Sequence, residues 1–386
     1  ADRRLEGIAA LIRRDDVDYV SVKVSAATAP HAPYAFDEAV ADITERLTPL
    51  FELARDRDTF INLDMEEYHD LHLTIRLFKE LLSEDEFKDL QAGIVVQAYL
   101  PDAFEALQEL AEFAVERVKN GGAPIKVRIV KGANLSLERV ESEVHGWPLA
   151  PYLSKAEVDA NYIRLLDYIL REEYADAIRI GVASHNLYTM GLAVELAEKR
   201  GVSRQIDAEM LAGMSPAQAK AVHDVVGRQI LYTPVVHMKD FDVAVSYLVR
   251  RLEENAESQN FLYALFAPDE ASDKGKTPMQ DQKDRFYASV RDRWKTFAGQ
   301  RRQQDRNNET GRQVPDTGRF INEPDTDPAL RANREWALEA LASDPGEHGV
   351  KSVTETSEVD EAINTAVGLA DDWAALSGAE RCEVLN

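Results

Sequence analysis

The residues whose types and spacing best suit chemistry lie on a predicted helix near position 250. Tyr247, Arg250, Arg251 and Glu254 follow Val243 at i+4, i+7, i+8 and i+11, which places them along one stripe of the helix. Adjacent guanidinium groups can bind one carboxylate bidentately, and a glutamate beside them can balance the charge or meet a substrate ammonium. From spacing alone, a carboxylate site and a solvated face of ion pairs are equally good interpretations.

A second group of candidates closes an apolar run at 125–131. Arg128 and Lys131 end the run, and Gly132 and Ala133 follow them, so a ligand can approach the backbone closely. Two cations there suit a phosphate or a reduced anionic ring. The alternative is that Arg128 pairs with a carboxylate such as Asp64.

The lysine and histidine candidates are less specific. Lys23 lies in a strand of Val and Ser, so it needs an acidic partner or an anionic ligand, or it forms a Schiff base. His185 follows a strand, where a histidine is more often a hydrogen-bonded structural group than a catalyst. We expect His69 and His72 to be a solvated pair on one helix face, and we predict no metal site.

These residues need elements to position them, and the chain supplies seven short apolar runs separated by amphipathic helical stretches. Continuous β-branched runs are typical of parallel strands buried on both faces. No Gly-x-Gly-x-x-Gly follows any run, and six runs end in polar side chains. The pattern predicts a (βα)₈ TIM-type barrel of class α/β, with its first strand upstream of residue 1 and an open edge if that strand is absent. The predicted strands are 19–25, 60–64, 93–99, 125–131, 178–184, 205–210 and 230–236.

Composition limits the function. The chain has 386 residues and a formal net charge of -24, which disfavours a broad nucleic-acid or anionic-membrane surface. Its one cysteine, Cys382, allows no intrachain disulfide, and no apolar run is long enough to span a membrane.

We divide the chain into a barrel at 1–266, a polar linker at 267–320 and a further, partly helical segment at 321–386.

Several strings, in this order, resemble the proline dehydrogenase domain of the bifunctional proline utilisation flavoenzymes, in an actinobacterial-like form. The resemblance covers about 19–261, and its most specific string is Tyr-Leu-x-Arg-Arg-Leu-x-Glu-Asn at 247–255. The other strings are Asp64-x-Glu66, Val-Gln-Ala-Tyr at 96–99, Val-Lys-Gly-Ala at 130–133, Ser-His-Asn at 184–186, Leu211-x-Gly213-Met214 and Tyr232-x-Pro234-Val235.

The resemblance implies FAD across the strand ends and oxidation of L-proline to 1-pyrroline-5-carboxylate by hydride transfer to flavin N5, the first step of proline catabolism to glutamate. It implies that Asp64 and Glu254 organise the cationic side of the site. It gives as substrate-binding residues Lys23, Leu211, Tyr232, Tyr247, Arg250 and Arg251. It gives as FAD-binding residues Gln97, Arg128, Lys131, Gly132, Ala133, Lys155, Ser184, His185, Asn186 and Glu209.

The resemblance also carries expectations beyond the barrel. Residues 321–386 resemble the start of an aldehyde dehydrogenase domain, although we expect no aldehyde oxidation from them and expect Cys382 to be a buried helix residue. Electrons are expected to pass to a quinone or another acceptor, in a cytoplasmic protein that can lie at the inner membrane face and forms homo-oligomers. Asn134 and Ala212 depart from the family pattern, which has aromatic residues and a histidine there.

Three other functions compete with this interpretation. One is a barrel lyase or aldolase that uses Lys23 as a Schiff base. Another is a different flavin barrel, related to methylenetetrahydrofolate reductase. The last is a module that binds FAD or a partner without turnover.

Overall fold

The computed structural model describes residues 2–28, 32–268, 275–309, 322–344, 346 and 352–385. The side chains at 240, 243, 246, 248, 250 and 253–256 lie outside this description. The chain divides into two compact units, Ala1–Leu338 and Glu339–Asn386.

Seven strands form one parallel sheet in the order β1 to β7. Each predicted strand is present, and most ends agree within two residues. The last strand ends earlier than predicted, and Pro234 beyond it lacks the N–H that a ladder needs. The strands are β1 Tyr19–Lys23, β2 Phe60–Asp64, β3 Ala92–Gln97, β4 Ile125–Val130, β5 Ile178–Ala183, β6 Ile206–Leu211 and β7 Gln229–Tyr232.

Helices follow the strands and pack against one another around the sheet, as the pairs α1–α3, α3–α4, α4–α5, α5–α7 and α7–α8 show. The first nine are α1 Asp2–Ile12, α2 Val24–Ala27, α3 Phe36–Arg57, α4 Leu71–Ser83, α5 Ala103–Lys119, α6 Leu135–His145, α7 Lys155–Ile169, α8 Leu187–Lys199 and α9 Pro216–Val226. The others are α10 Phe241–Ala256, α11 Phe261–Phe266, α12 Pro278–Asp292, α13 Arg331–Ala342, α14 Thr356–Gly368, α15 Ala370–Ala375 and α16 Gly378–Leu385.

The sheet is curled, as shown by side chains of its two outer strands, which both reach a side chain of the middle strand. The ring of Tyr19 on β1 and that of Tyr232 on β7 lie 5.9 and 5.5 Å from the guanidinium carbon of Arg128 on β4. Within the described residues β1 and β7 each pair on one side only, so the architecture is an open barrel of seven strands. This agrees with the predicted parallel βα barrel, of which the chain itself was expected to supply seven strands.

Residues 275–309, within the predicted polar linker at 267–320, pack against helices of the barrel. Helix α12 packs against α7, and Arg164 on α7 donates hydrogen bonds to the carbonyls of Arg293, Thr296 and Phe297. Arg302 is almost fully buried and lies 3.3 Å from Asp327. The polar composition of this segment did not indicate that it is packed, because the packing contacts are hydrogen bonds from arginine side chains to backbone carbonyls.

Helices α14, α15 and α16 belong to the second unit and have no buried residues among those described. Cys382 on α16 is exposed, so the prediction of a buried cysteine is wrong. Nothing in the described part of this unit covers that face of α16.

Candidate active site

Arg128 lies at the centre of the barrel mouth, where it is bonded on every side. Its Nε and Nη1 lie 2.5 Å from Glu209 and 2.8 Å from Asp64, and its Nη2 donates to Tyr19 and Ser21. Burial by itself lowers the pKa of Arg128, but the attraction of Glu209, Tyr19 and Asp64 outweighs it and raises the pKa. The predicted residues Arg128, Asp64 and Glu209 therefore form one buried cluster with a fixed cation.

Asp64 links this cluster to β7. The Tyr232 hydroxyl donates to Asp64 at 3.4 Å, and the Asn62 amide donates to it at 3.1 Å. Burial raises the pKa of Asp64, although Arg128 and Lys23 oppose that effect. Burial also raises the pKa of Tyr232, with Asp64 as the next cause. Burial therefore works against the carboxylate form of Asp64 while Arg128 and Lys23 favour it, and burial favours the neutral Tyr232 hydroxyl, which can donate to Asp64.

Two lysines share one carboxylate beside this cluster. Lys131 and Lys155 both contact Asp159, the second at 2.7 Å. Burial and the neighbouring Lys131 lower the pKa of Lys155. Arg285 on α12 lines the same small cavity as Lys131 and Asn186 and adds to the positive potential at Lys155. Lys131 and Arg285 line this cavity with Asp159, and Lys155 binds the same carboxylate, so positive charge is in excess, which suits a phosphate group.

Gly132 directly follows Lys131 and has φ of +122°. A Cβ at this position would lie 2.4 Å from the ring of Tyr99, so only glycine fits. We expected a glycine here to let a ligand approach the backbone, whereas the close neighbour in the structure is the ring of Tyr99. Ala133 is exposed at the mouth directly after it.

Lys23 and Gln97 meet at Glu66 rather than at Arg128. The Lys23 ammonium lies 3.1 Å from the Glu66 carboxylate and is more than half exposed. Gln97 and Asn134 both donate to the Glu66 carbonyl, at 2.7 and 3.2 Å. Asn134, which departs from the family pattern, therefore takes a structural hydrogen bond at the mouth, and Lys23 has the acidic partner that its position required.

The segment at 184–186 shapes the start of α8. The Asn186 side chain caps the helix by accepting from the backbone of Tyr188 and Thr189, and the Ser184 hydroxyl accepts from the Asn186 N–H. His185 Nε2 accepts from the Leu211 N–H at 3.0 Å, and burial lowers the pKa of His185. The structure thus places His185 as a hydrogen-bonded structural group, while the buried Nδ1 has no hydrogen-bond partner among the described residues.

Helix α10 carries the stripe of Tyr247, Arg250, Arg251 and Glu254 as predicted, but the side chains of Arg250 and Glu254 are outside the described part of the structure. The Arg251 guanidinium lies 5.0 Å from the centre of the Tyr247 ring. Tyr247 contributes to the raised pKa of Tyr232, which places α10 near the end of β7.

His69 is exposed, as expected of a solvated histidine, but it lies in the turn before α4, whereas His72 lies on α4 and is half-buried. His69 is 3.3 to 3.6 Å from carboxylate oxygens of Glu67, Asp70 and Glu141. The Glu141 contact, with the other carboxylates, raises the pKa of His69 to about 9, while burial lowers the pKa of His72. The two histidines therefore have opposite environments, and His69 binds its carboxylates as a cation at neutral pH.

Sequence reasoning missed four residues at this end of the barrel: Tyr19, Lys126, Asp159 and Arg285. One signal was available, since Lys126 and Arg128 alternate in an apolar strand and so must share a face. Arg285 lies in a segment predicted to be a linker, and no local pattern indicated it.

The fold and this arrangement define a class: a βα-barrel protein with buried ion pairs at the carboxyl ends of its strands. The family model described as proline dehydrogenase matches residues 2–264. The chain belongs to the proline dehydrogenase family, a family of oxidoreductases.

Solved relatives agree with this assignment. Proline utilization A (PutA) from Corynebacterium freiburgense is 48% identical, with a TM-score of 0.78 over 94% of this chain and 34% of that one. The PutA structure from Bdellovibrio bacteriovorus, described as inactivated by N-propargylglycine, is 34% identical, with a TM-score of 0.69 over 88% of this chain and 34% of that one.

Curated relatives are more distant. The "Bifunctional protein PutA" of Klebsiella aerogenes is 28% identical over 256 residues, which cover 63% of this chain and 18% of that protein. The chain thus spans less than a fifth of the length of this curated relative and about a third of the solved ones.

Proposed function

We propose that the protein oxidises L-proline to 1-pyrroline-5-carboxylate with FAD as the cofactor, the first step of proline catabolism to glutamate. The observation that carries this proposal is Arg128, a buried cation fixed by Glu209, Asp64 and Tyr19 at the mouth of a barrel of this family. A fixed cation of this kind stabilises negative charge that develops on a neighbouring ring.

The donor set fits FAD. Lys131, Lys155 and Arg285 provide more positive charge than Asp159 neutralises, which suits the pyrophosphate. Gly132 and Ala133, which follow Lys131, add no long side chain beside that pocket. The bound flavin would supply the two-electron acceptor, and the residues of the chain bind and orient the reactants.

The substrate side is proposed from α10 and from the strand ends facing it. Arg250 and Arg251 would bind the proline carboxylate with Lys23, and Tyr232, Tyr247 and Leu211 would surround the ring. Glu254 and Asp64 would balance these cations. Two guanidinium groups fix the direction of a carboxylate, and fixing direction contributes much of the rate of such reactions. If proline reacts as the free amine, no strong general base is required.

The remaining roles of the site are also proposals. Gln97, Ser184, His185, Asn186 and Glu209 would complete the flavin site, although Gln97 and Glu209 act through other residues in the described contacts. The Schiff-base alternative is not retained, because the family is one of oxidoreductases and Lys23 pairs with Glu66.

The context of the enzyme is proposed from its relatives. We expect residues 321–386 to begin an aldehyde dehydrogenase-like domain, a quinone or another acceptor to take the electrons, and the protein to be a cytoplasmic homo-oligomer that can lie at the membrane face. No helix in the described part of the chain is long and apolar enough to cross a membrane.

The test is an absorbance spectrum of the purified protein before and after L-proline. We expect a flavin band that bleaches with L-proline and persists with D-proline, which has the same composition and the opposite configuration. N-propargylglycine, named with the B. bacteriovorus structure, should block the bleaching after preincubation. A colourless protein, or a flavin indifferent to L-proline, would contradict the proposal.

A further inference from the structure

A second buried cation lies inside the barrel, one layer below Arg128. Lys126 precedes Arg128 by two residues on β4 and so shares its face, and its side chain is only 1% exposed. Its ammonium lies 2.6 Å from Oε1 of Glu209 and 3.0 Å from Oδ2 of Asp207. The Glu209 contact is close without the alignment of a hydrogen bond, so it acts as an ion contact. Glu209 therefore has Lys126 at one oxygen and Arg128 at the other.

The ion pairs continue in both directions from Glu209. Asp207 also contacts Arg179, at 2.6 Å, and Arg128 contacts Asp64. Cation and anion thus alternate from Arg179 through Asp207, Lys126, Glu209 and Arg128 to Asp64. A buried charge without a partner costs several kcal/mol, so each member of this chain restricts the position of the next.

Gly181 on β5 provides the space that this arrangement needs. It pairs in register with Arg128 on one side and with Asp207 on the other. A Cβ at position 181 would lie 2.1 Å from Oε1 of Glu209 and 3.1 Å from Cε of Lys126. Any other residue at 181 would force the Glu209 carboxylate away from its observed place.

We infer that Lys126, Asp207 and Gly181 are positioning residues, which fix Glu209 and through it the direction in which Arg128 presents its charge to the flavin. This inference rests on the proposed function, in which Arg128 faces the cofactor. Glu209 is then a support for Arg128 within the barrel, and the three positioning residues contact neither substrate nor cofactor.

The physical consequence is specific to electron transfer. A displaced Arg128 stabilises the negative charge of the reduced flavin less well, so reduction becomes slower and the reduction potential becomes more negative. The proline carboxylate is proposed to bind Arg250, Arg251 and Lys23, which lie outside this chain of ion pairs, and only Asp64 at the end of the chain reaches the substrate side. A change in flavin reduction without a matching change in proline affinity is therefore the signature of positioning.

The experiment compares Gly181→Ala with Gly191→Ala, an exposed helical glycine whose added Cβ would meet nothing within 4 Å. For Gly181→Ala we expect proline-driven flavin reduction about tenfold slower or more at saturation, a more negative potential against a reference dye, and a proline Kd within about threefold of the parent. Gly191→Ala should match the parent in all three.

Glu209→Gln provides a second variant of unchanged size in case Gly181→Ala does not fold. It removes the charge that Lys126 contacts while an amide oxygen can still accept from Arg128. We expect slower reduction and a more negative potential, at a smaller magnitude, from the displaced Arg128, whereas loss of an anion without displacement would make the flavin easier to reduce. Folded variants with a lower melting temperature but with the parental potential and reduction rate would show a merely structural role and overturn the inference.

The dye titration separates this inference from the proposed function. It needs no substrate, so a shifted potential supports positioning even if L-proline does not bleach the parent. Bleaching of the parent together with parental behaviour of both variants overturns the inference alone. A parent that binds no FAD overturns both.

Discussion

At the scale of single residues, the candidate site contains both a buried charge held by several partners and an exposed charge held by an ion pair. Arg128 is surrounded by carboxylates and hydroxyls that hold it charged in a buried place, whereas Lys23 has one partner and remains half in solvent. Groups fixed in this way can orient a ligand without rearrangement. Exposed ion pairs contribute little by comparison.

Substitution of Arg251 tests the proposed binding of the proline carboxylate by α10. Exchange of Arg251 for Met removes a guanidinium that lies over Tyr247, and we expect kcat/KM for L-proline to fall about 100-fold or more, with a higher KM. Flavin content should not change. Val249→Ala, at an exposed position of the same helix, is the control. Unchanged steady-state kinetics for Arg251→Met would refute carboxylate binding by α10.

His69 gives a prediction about pH. Its pKa is raised to about 9 from 6.5, so its ion pairs contribute stability that is complete below pH 6.5 and is lost as pH rises through 9. The free energy of unfolding, measured in urea between pH 6 and pH 10, should decline less in His69→Gln than in the parent. His72→Gln is the matched control, because a lowered pKa confines the effect of His72 to below pH 6.5. Parallel curves for parent and His69→Gln would count against this account.

At the scale of elements, the site depends on how each strand ends. β4 ends in Val130, and the backbone then passes directly over the ring of Tyr99 at Gly132. After β5, Ser184 and Asn186 follow the strand, and the Asn186 side chain caps the start of α8. The strand ends therefore fix the directions of the loops as well as the side chains they carry.

Gly132→Ala should test this geometry. The positive φ alone costs an alanine about 1–3 kcal/mol, and contact with Tyr99 adds to it. We expect the urea-derived free energy of unfolding to fall by at least that amount. Gly191→Ala, inside α8, should instead be neutral or stabilising by up to about 1 kcal/mol. Equal stability of the two variants would show that the loop can move away from Tyr99.

At the scale of the whole first unit, the segment after the barrel is part of the packed structure. Arg302 is 2% exposed, pairs with Asp327, and lies 4.9 and 4.8 Å from the rings of Tyr68 and Trp147. Burial raises the pKa of Asp327 and Arg302 opposes it. This contact holds the segments around Arg302 and Asp327 against the loops that follow β2 and α6.

Arg302→Met should therefore destabilise the unit strongly. It leaves the buried Asp327 without its cation, and we expect a loss of about 3–5 kcal/mol in the free energy of unfolding. Adding Asp327→Asn should restore part of that loss, and Gln303→Ala, at an exposed neighbour, should change little. If Arg302→Met unfolds like the parent, the segment is not held by this pair.

The sequence by itself determined the features that depend on local periodicity. β-branched runs located the seven strands, the 3.6-residue period placed Tyr247 and Arg251 on one helix face, and the family strings indicated the class of enzyme. These signals are readable because side-chain direction within a strand or helix follows from residue spacing alone.

Only the tertiary structure decided which groups meet. Arg128 and Glu209 are 81 residues apart, and their contact depends on strand order and on the curl of the sheet. The same holds for Arg285 and Arg302, which lie in polar segments whose composition indicated exposure. A buried ion pair leaves no local signature, because each partner alone resembles a surface residue until the fold removes it from water.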